Sequence, residues 1–403
     1  MHNDQPSLAS VQVHTPERER LPLNGLLVLA AAGFITILTE ALPAGLLPQL
    51  SADLGVSQAM VGQMVTLYAL GSLLAAIPLV MLTRSWRRRP LLLIAIGGFA
   101  LVNLITALSS HYPLTLIARF FAGVFAGLLW ALVAGYAARM VAPHLQGRAI
   151  AVAMVGTPLA LSLGIPAGTF LGGVLGWRYT FILMSVLTVL LLTWGRLALP
   201  DFPGQRSSGP LPIGRVFRLP GVRPVLFTIL TYVLAHNLFY TYIAAFLAPL
   251  GMVAEVDRVL LAFGLAALLG IWLTGMLIDR WLRALSLLSA GVLAVACMAL
   301  GMWGSSPGLV YAGVAAWGLA FGGVPTLFQT ASIRAAGDDA DVAQSMCVTA
   351  WNVGIAGGGL CGGLLLDRAG AGVLPWVAGA LGVVALLTIC NARQHGFRAT
   401  PHR

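Results

Sequence analysis

The chain contains no lysine; all 23 of its basic residues are arginine. A Walker A phosphate loop requires a lysine and Schiff-base catalysis requires a lysine amine, so both are excluded. Charge of either sign is scarce. Only 9% of the 403 residues are charged and 59% are hydrophobic, whereas a soluble domain carries about 25% charged residues. So much apolar surface fits in no single water-facing core, and the sequence is that of an integral membrane protein. The four cysteines (Cys297, Cys347, Cys361 and Cys390) lie in apolar segments without zinc-ligand spacing, so they read as small hydrophobes. The motif HExxH and any cluster of paired carboxylates are also missing, which argues against an enzyme. The net charge of +10 does not point to nucleic acid, because the arginines are scattered between apolar runs, where they set orientation in a membrane.

About 20 apolar residues span a bilayer. Twelve stretches qualify, near 24–46, 59–83, 90–109, 114–140, 148–173, 177–199, 225–250, 257–278, 285–303, 308–330, 342–366 and 373–390. The predicted fold is therefore all-α, with twelve transmembrane helices. The polar N-terminal tail lacks the ordered regions of a signal peptide and reads as disordered over 1–20. The longest internal connection, PDFPGQRSSGPLPIGRVFRLPGVRP, is rich in Pro, Gly, Ser and Arg. It divides the chain into a tail (1–21), a six-helix bundle (22–200), a linker (201–224), a second six-helix bundle (225–390) and a C-terminal tail (391–403).

With the N-terminus inside, nineteen arginines fall on cytoplasmic segments and three (Arg178, Arg258 and Arg368) on the outer side. The positive-inside rule then places both termini in the cytoplasm. The halves also read as repeats. LVMLTRSWRR (79–88) aligns with GMLIDRWLR (275–283) at an offset of 196, and AGVFAGLLW (122–130) with WGLAFGGVP (317–325) at 195. Two pseudo-symmetric six-helix bundles mark one large class of secondary transporter.

The remaining arginine, Arg119, lies inside the fourth helix, and one acid, Glu40, lies well inside the first. A charge at mid-membrane costs about 2.5–3.5 kcal/mol on insertion scales and must face a cavity or a partner. At about 1.5 Å per residue the two fall at similar depth in the outer half of the bilayer. Burial favours a protonated carboxyl and a nearby arginine the ionised one, so an arginine that approaches in one conformation only would make Glu40 a proton switch. A permanent structural ion pair is the alternative. At the repeat offset Glu40 falls on His236, which is expected to line the cavity, with Asn237, Tyr240 and Tyr242 adding hydrogen-bonding groups, or else to sit hydrogen-bonded between helices. Gln63, Tyr68, Trp130, Gln329 and Asn352 are further candidates for the cavity wall, suited to amphipathic small molecules.

Gly164, Gly168 and Gly172 share one face of the fifth helix, and Pro166 can kink it. Close packing there would make an outer seal or serve ordinary helix packing. The eleventh helix carries its own set, Gly354, Gly357, Gly358, Gly359, Gly362 and Gly363. The basic loop RSWRRRP (84–90) reads either as a topology determinant or as a latch pairing with acids and helix C-termini at the inner side.

The stretch from about 22 to 390 resembles the major facilitator superfamily, in particular the twelve-helix bacterial drug/proton antiporters and their sugar- and nucleoside-efflux branch. TEALPAGLLPQL resembles that branch's first-helix motif, with Glu40 at the acidic position. RFFAGVFAG resembles its fourth-helix motif, whose arginine, here Arg119, the family links to proton coupling. LGIPAGTFLGG resembles the antiporter motif of helix five, with Ile165 between Gly164 and Pro166. The loop motif G-x-L-x-D-R-x-x-R-R is changed in the first half: Leu79 and Thr83 replace its Gly and Asp, while Arg84, Arg87 and Arg88 are kept. The second copy keeps Gly275, Asp279, Arg280 and Arg283. The resemblance implies a monomeric inner-membrane exporter with no cofactor, driven by the proton gradient through rocker-switch alternating access. Its partners would be the bilayer, protons and a small-molecule substrate such as a drug, sugar or nucleoside. A proton-coupled importer or facilitator of a small polar metabolite is the alternative with the same fold.

Overall fold

The computed structural model describes residues 21–397 except 84, 143–144, 205–212 and 304–305. The polar tail 1–20 and Arg84 of the basic loop lie outside the described residues. Among the described residues, twelve helices are long and apolar enough to cross a membrane. They are α1 (Leu23–Gly45), α2 (Gln58–Leu82), α3 (Arg88–Leu108), α4 (Tyr112–Arg139), α5 (Arg148–Leu175), α6 (Trp177–Ala198), α7 (Val222–Tyr240), α8 (Val253–Ile278), α9 (Arg280–Trp303), α10 (Pro307–Ala336), α11 (Val342–Ala369) and α12 (Ala371–Asn391). Among the described residues there is no strand.

Local chemistry sets the ends. Ser57 caps α2, its hydroxyl accepting from the Met60 N–H. Proline stands in the first turn of α4 and of α10, where the missing N–H costs nothing. Two turns tight enough to need φ > 0 recur in both halves. Gly55 (φ 63) and Gly251 (φ 72) stand 196 residues apart, and Gly176 (φ 90) and Gly370 (φ 79) stand 194 apart. The internal repeat read from the sequence is therefore also a repeat of backbone conformation.

Several helix boundaries differ from the hydropathy reading. The α8 and α9 helices run on as one helical stretch broken only at Trp281 (φ −125, ψ 25), because the connection is too short for a loop. The helix expected over 225–250 stops at Tyr240, turns at Tyr242 and resumes as Ile243–Leu247. The α10 helix extends past the expected 330 to Ala336, with a break at Gly323. The α5 helix carries a π-turn over Ala160–Gly164, immediately before Pro166, where the ring removes an N–H from the helical ladder.

In the first half α2 packs on α4, α3 on α4 and α6, and α1 on α5 and α6. In the second, α7 packs on α11 and α12, and the α8–α9 stretch on α10 and α12. The chain leaves the first residues of α1 and the last residues of α12 at one end of the molecule, here called the terminal end; the opposite end is the distal end. One apolar core unites the distal parts of the first half (Leu42, Leu46, Val61 and Met64 among them) with the second half. A separate core, including Leu29, Leu92, Leu129 and Val133, belongs to the first half alone.

Candidate functional site

Arg119 is fully buried on α4. It reaches its place because Gly123, one turn on, lets α4 approach α2: a Cβ at Gly123 would lie 1.8 Å from the Tyr68 carbonyl oxygen. The guanidinium donates from Nη2 to the Glu40 carbonyl (3.1 Å) and from Nε to the Met64 carbonyl (3.5 Å). Its carbon lies 5.0 Å from the centre of the Tyr68 ring, a cation–π contact. Tyr68 is held in turn by its hydroxyl, which donates to the Thr36 carbonyl of α1 (3.1 Å). Asn103 of α3 donates to Thr39 beside Glu40 (3.0 Å). The first half therefore brings Glu40, Tyr68 and Arg119 together from α1, α2 and α4.

The contact between acid and base is not the one sequence reasoning suggests. Arg119 binds the main chain of Glu40 and leaves its carboxylate out of any ion pair: the three salt bridges found among the described residues are Arg87–Asp201, Arg178–Asp53 and Arg215–Asp339. Nη1 of Arg119 is buried without a partner. A cationic donor is thus held in reserve next to a half-buried acid.

The second half carries no counterpart charge. Gly318 stands 195 residues after Gly123 and lets α10 approach α8 in the same way, a Cβ there lying 2.3 Å from the Phe263 carbonyl oxygen, and Phe263 is 195 residues after Tyr68. Here His236 is enclosed by rings instead of lining a polar cavity wall. It stacks on Phe321 at 3.7 Å and on Tyr240 at 5.0 Å, with Trp317 and Phe263 at 5.3 and 5.7 Å. His236 Nδ1, the Tyr240 hydroxyl and Trp317 Nε1 are buried and unpartnered. Asn237 and Asn352 turn back to their own helices, at the Val233 and Val348 carbonyls. Trp130 is half-buried against Gly33 of α1, and Gln329 is exposed, its carbonyl accepting from Gln344.

The halves meet at the distal end and at mid-depth. Gln63 donates to the Gly359 carbonyl (3.3 Å) and to the Tyr242 hydroxyl (3.5 Å), and Thr66 donates to Ala356 (3.4 Å). Tyr242, held within its own half by the bond from its hydroxyl to the Gly359 carbonyl (2.6 Å), also reaches the Ala59 carbonyl of α2 (3.4 Å). Tyr242 and Gln63 thus belong to the contact between α2, α7 and α11 and not to a cavity wall. The α11 glycines divide by face. Gly354 and Gly358 pack on α7 at Val233 and Asn237, while Gly359 and Gly363 pack on α2 at Thr66 and Gln63. The second seam is between α5 and α8, where a Cβ at Gly264 would lie 2.3 Å from Ser162 Cα. The glycines of the fifth-helix motif do not form this seam. Gly164 and Gly168 face Phe34 and Leu42 of α1, and Gly172 faces Leu46 just after it, all within their own half. Pro166, buried at the start of the next helical segment, follows the π-turn that carries Ser162. Sequence reasoning missed Gly264, an isolated glycine in an apolar run, which has no signal apart from its size.

At the terminal end the basic loop is tied to the first half's own exit. Arg87 pairs with Asp201, the Arg89 N–H donates to the same carboxylate (3.1 Å), and the Arg89 side chain reaches the Leu199 carbonyl at the end of α6 (3.4 Å). The loop thus pairs with an acid and a helix C-terminus, but within one half. Thr83, in the place of an acid, bonds to its own helix at Leu79, and Arg88 is also engaged. In the second copy Arg283 donates to the Ile389, Cys390 and Phe397 carbonyls and closes the end of α12. Gly275 has open space around it and Arg280 is exposed, while the side chain of Asp279 lies outside the described residues.

Partial desolvation pushes the Asp201 carboxyl up, but the hydrogen bonds from Arg87 and Arg89 and their charges outweigh it and hold the group below its ordinary 3.8. A lowered carboxyl contributes its stabilisation fully above the unfolded value and loses it as pH falls through the folded one. Protease cleavage of the linker after 203 is therefore expected to be flat from pH 8 down to about 5. Asp201→Asn should show faster cleavage at pH 7; equal rates in both proteins would mean that the pair does not anchor the linker.

Residues 29–346 match the Major Facilitator Superfamily. The chain is 33% identical over 370 residues to a chloramphenicol efflux pump of Mycobacterium tuberculosis (strain CDC 1551 / Oshkosh), covering 89% of each protein. It is 30% identical over 357 residues to the purine ribonucleoside efflux pump NepI of Escherichia coli (strain K12), covering 88% of this chain and 90% of that one. Among solved structures, a D-xylose-proton symporter superposes with a TM-score of 0.78 at 16% identity, covering 95% of this chain and 99% of that one. The inward open conformation of the xylose transporter XylE from E. coli superposes with a TM-score of 0.74 at 16% identity, covering 94% and 97%.

Proposed function

From the premise that the chain belongs to the Major Facilitator Superfamily, a family of multi-pass membrane transporters and not enzymes, we propose that it is a proton-coupled antiporter. It exports small molecules across a bacterial inner membrane, acts as a monomer and uses no cofactor beyond the proton gradient. The observation that carries this reading is the arrangement of Glu40 and Arg119, an acid and a base at one depth in the membrane with the carboxylate unpaired and a guanidinium nitrogen unused. Export rests on the relatives, which are efflux pumps, and their names place amphipathic drugs and nucleosides among the substrates to test first.

The arginine bias puts the terminal end and both termini in the cytoplasm. With the distal seam shut, the conformation described is then the one that loads from the cytoplasm. Rocking of the two bundles about α1, α5, α7 and α8 would part the Gln63–Gly359, Thr66–Ala356 and Ser162–Gly264 contacts and expose the site outward. A proton entering from outside neutralises Glu40 and the substrate leaves. On return, the ionised carboxylate takes the spare Nη1 of Arg119 once its proton has passed to the cytoplasm.

The direction of transport is the test. With chloramphenicol and purine nucleosides as probes, whole cells are expected to extrude the substrate and everted vesicles to accumulate it on acidification of their lumen. Uptake by cells that rises with external acid would replace this reading with proton-coupled import.

A further inference from the structure

The groove at the terminal end between the start of α7 and the end of α12 has no place in the transport cycle proposed above. It encloses about 480 Å³ and is lined on one side by Arg218, Leu219 and Arg223 and on the other by Asn391 and His395. Its floor is fixed by main chain. Gly221 has φ +96, and a Cβ there would lie 2.0 Å from the His395 carbonyl oxygen, so the turn before α7 and the residues after α12 lock together without a side chain between them. Arg223 is oriented by a hydrogen bond from Nε to the Phe217 carbonyl (3.1 Å) and by stacking 5.2 Å from the Phe217 ring. Its two terminal nitrogens are left free of that bond. Arg218 is exposed.

Position narrows the class of ligand. The membrane spans begin at Val222 and end at Asn391, so the groove lies at the level where hydrocarbon gives way to headgroups. Arg218 precedes the span and Arg223 stands in its first turn, so both guanidinium groups lie at that level, with Leu219 and Pro224 beside them in the lining. Two guanidinium groups with an amide and an imidazole match a phosphodiester, since arginine offers paired N–H donors to phosphate oxygens. Basic pockets at helix ends on the cytoplasmic face are where anionic headgroups settle. We propose that this groove is a binding site for the headgroup of an anionic phospholipid, which joins α7 to α12 at the membrane surface.

Native mass spectrometry of the detergent-solubilised full chain tests this, with dioleoyl phosphatidylglycerol, dioleoyl phosphatidylcholine and inorganic phosphate as probes. The first phosphatidylglycerol is expected to bind at least about tenfold tighter than phosphatidylcholine, each arginine near the surface contributing about 1 kcal/mol. Arg218→Gln with Arg223→Gln should remove that preference, and the double lysine variant should keep most of it. Arg196→Gln with Arg334→Gln, which removes two exposed charges elsewhere at the same end, should keep it too. The proposal is overturned if the wild type shows no preference, if the groove variant binds like the wild type, or if the Arg196/Arg334 variant loses as much. Displacement of the lipid by millimolar inorganic phosphate would show a site for free phosphate and also overturn it.

Discussion

Glu40→Gln is expected to uncouple substrate from protons without unfolding the protein. In proteoliposomes with an entrapped pH dye, the wild type should move protons when a substrate is added and the variant should not. A pH difference of one unit is worth about 1.4 kcal/mol per proton, a tenfold substrate gradient. At one proton per substrate the variant should therefore lose about a factor of ten in accumulation per pH unit and equilibrate its substrate instead. The expectation follows from the Arg119 contacts. The guanidinium rests on the Glu40 carbonyl, the Met64 carbonyl and the Tyr68 ring, none of which the substitution touches. Had the carboxylate been the anchor of Arg119, its removal would leave a buried unpaired charge and threaten the fold. If the variant still couples, Glu40 is a structural residue and the proton carrier lies elsewhere, His236 being the next group to replace.

The two polar residues were easy to find and their relation was not. Against apolar helices a lone carboxylate and a lone guanidinium stand out at once, and helical rise gives their depth. Which atoms they share depends on rotamers and on a glycine one turn away, which composition does not report. The same holds for the repeat. The offset of 195 pairs Gly318 with Gly123, which make the same kind of close approach, yet symmetry of backbone did not carry symmetry of chemistry: around His236, which the offset of 196 pairs with Glu40, the second half sets Trp317, Phe321 and Phe263. Glycine spacing was the most ambiguous signal. The four-residue stripe on α5 and the glycines of α11 obey one rule of close approach, but the first packs within its half and part of the second packs across the seam. Spacing tells that two helices come close, and only the tertiary structure tells which two.

Gly264→Val should shift the protein away from the conformation described here. A Cβ at position 264 would meet Ser162 Cα at 2.3 Å and the Ser162 carbonyl oxygen at 2.7 Å. Both are main-chain atoms of the π-turn in α5, so no side-chain rotation relieves the clash. Overpacking of this kind costs about 1–3 kcal/mol, which moves a balance between two states by about 5- to 150-fold. Because the clash falls between the halves, neither bundle has to distort if they part at the seam. The cost then appears as a population of distal-open molecules and not as lost stability. Spin labels at Met60 on α2 and Arg368 on α11, placed after Cys361 and Cys390 are replaced by serine, report the distal distance directly. The variant should show a longer distance and a lower transport rate, while Gly291→Val, on α9 with open space around it, should show neither. An unchanged distance in Gly264→Val would mean that α5 and α8 repack around the methyl groups. The shut distal end would then rest on the α2–α11 contact and the Tyr242 hydroxyl alone, and Tyr242→Phe would become the substitution that opens it.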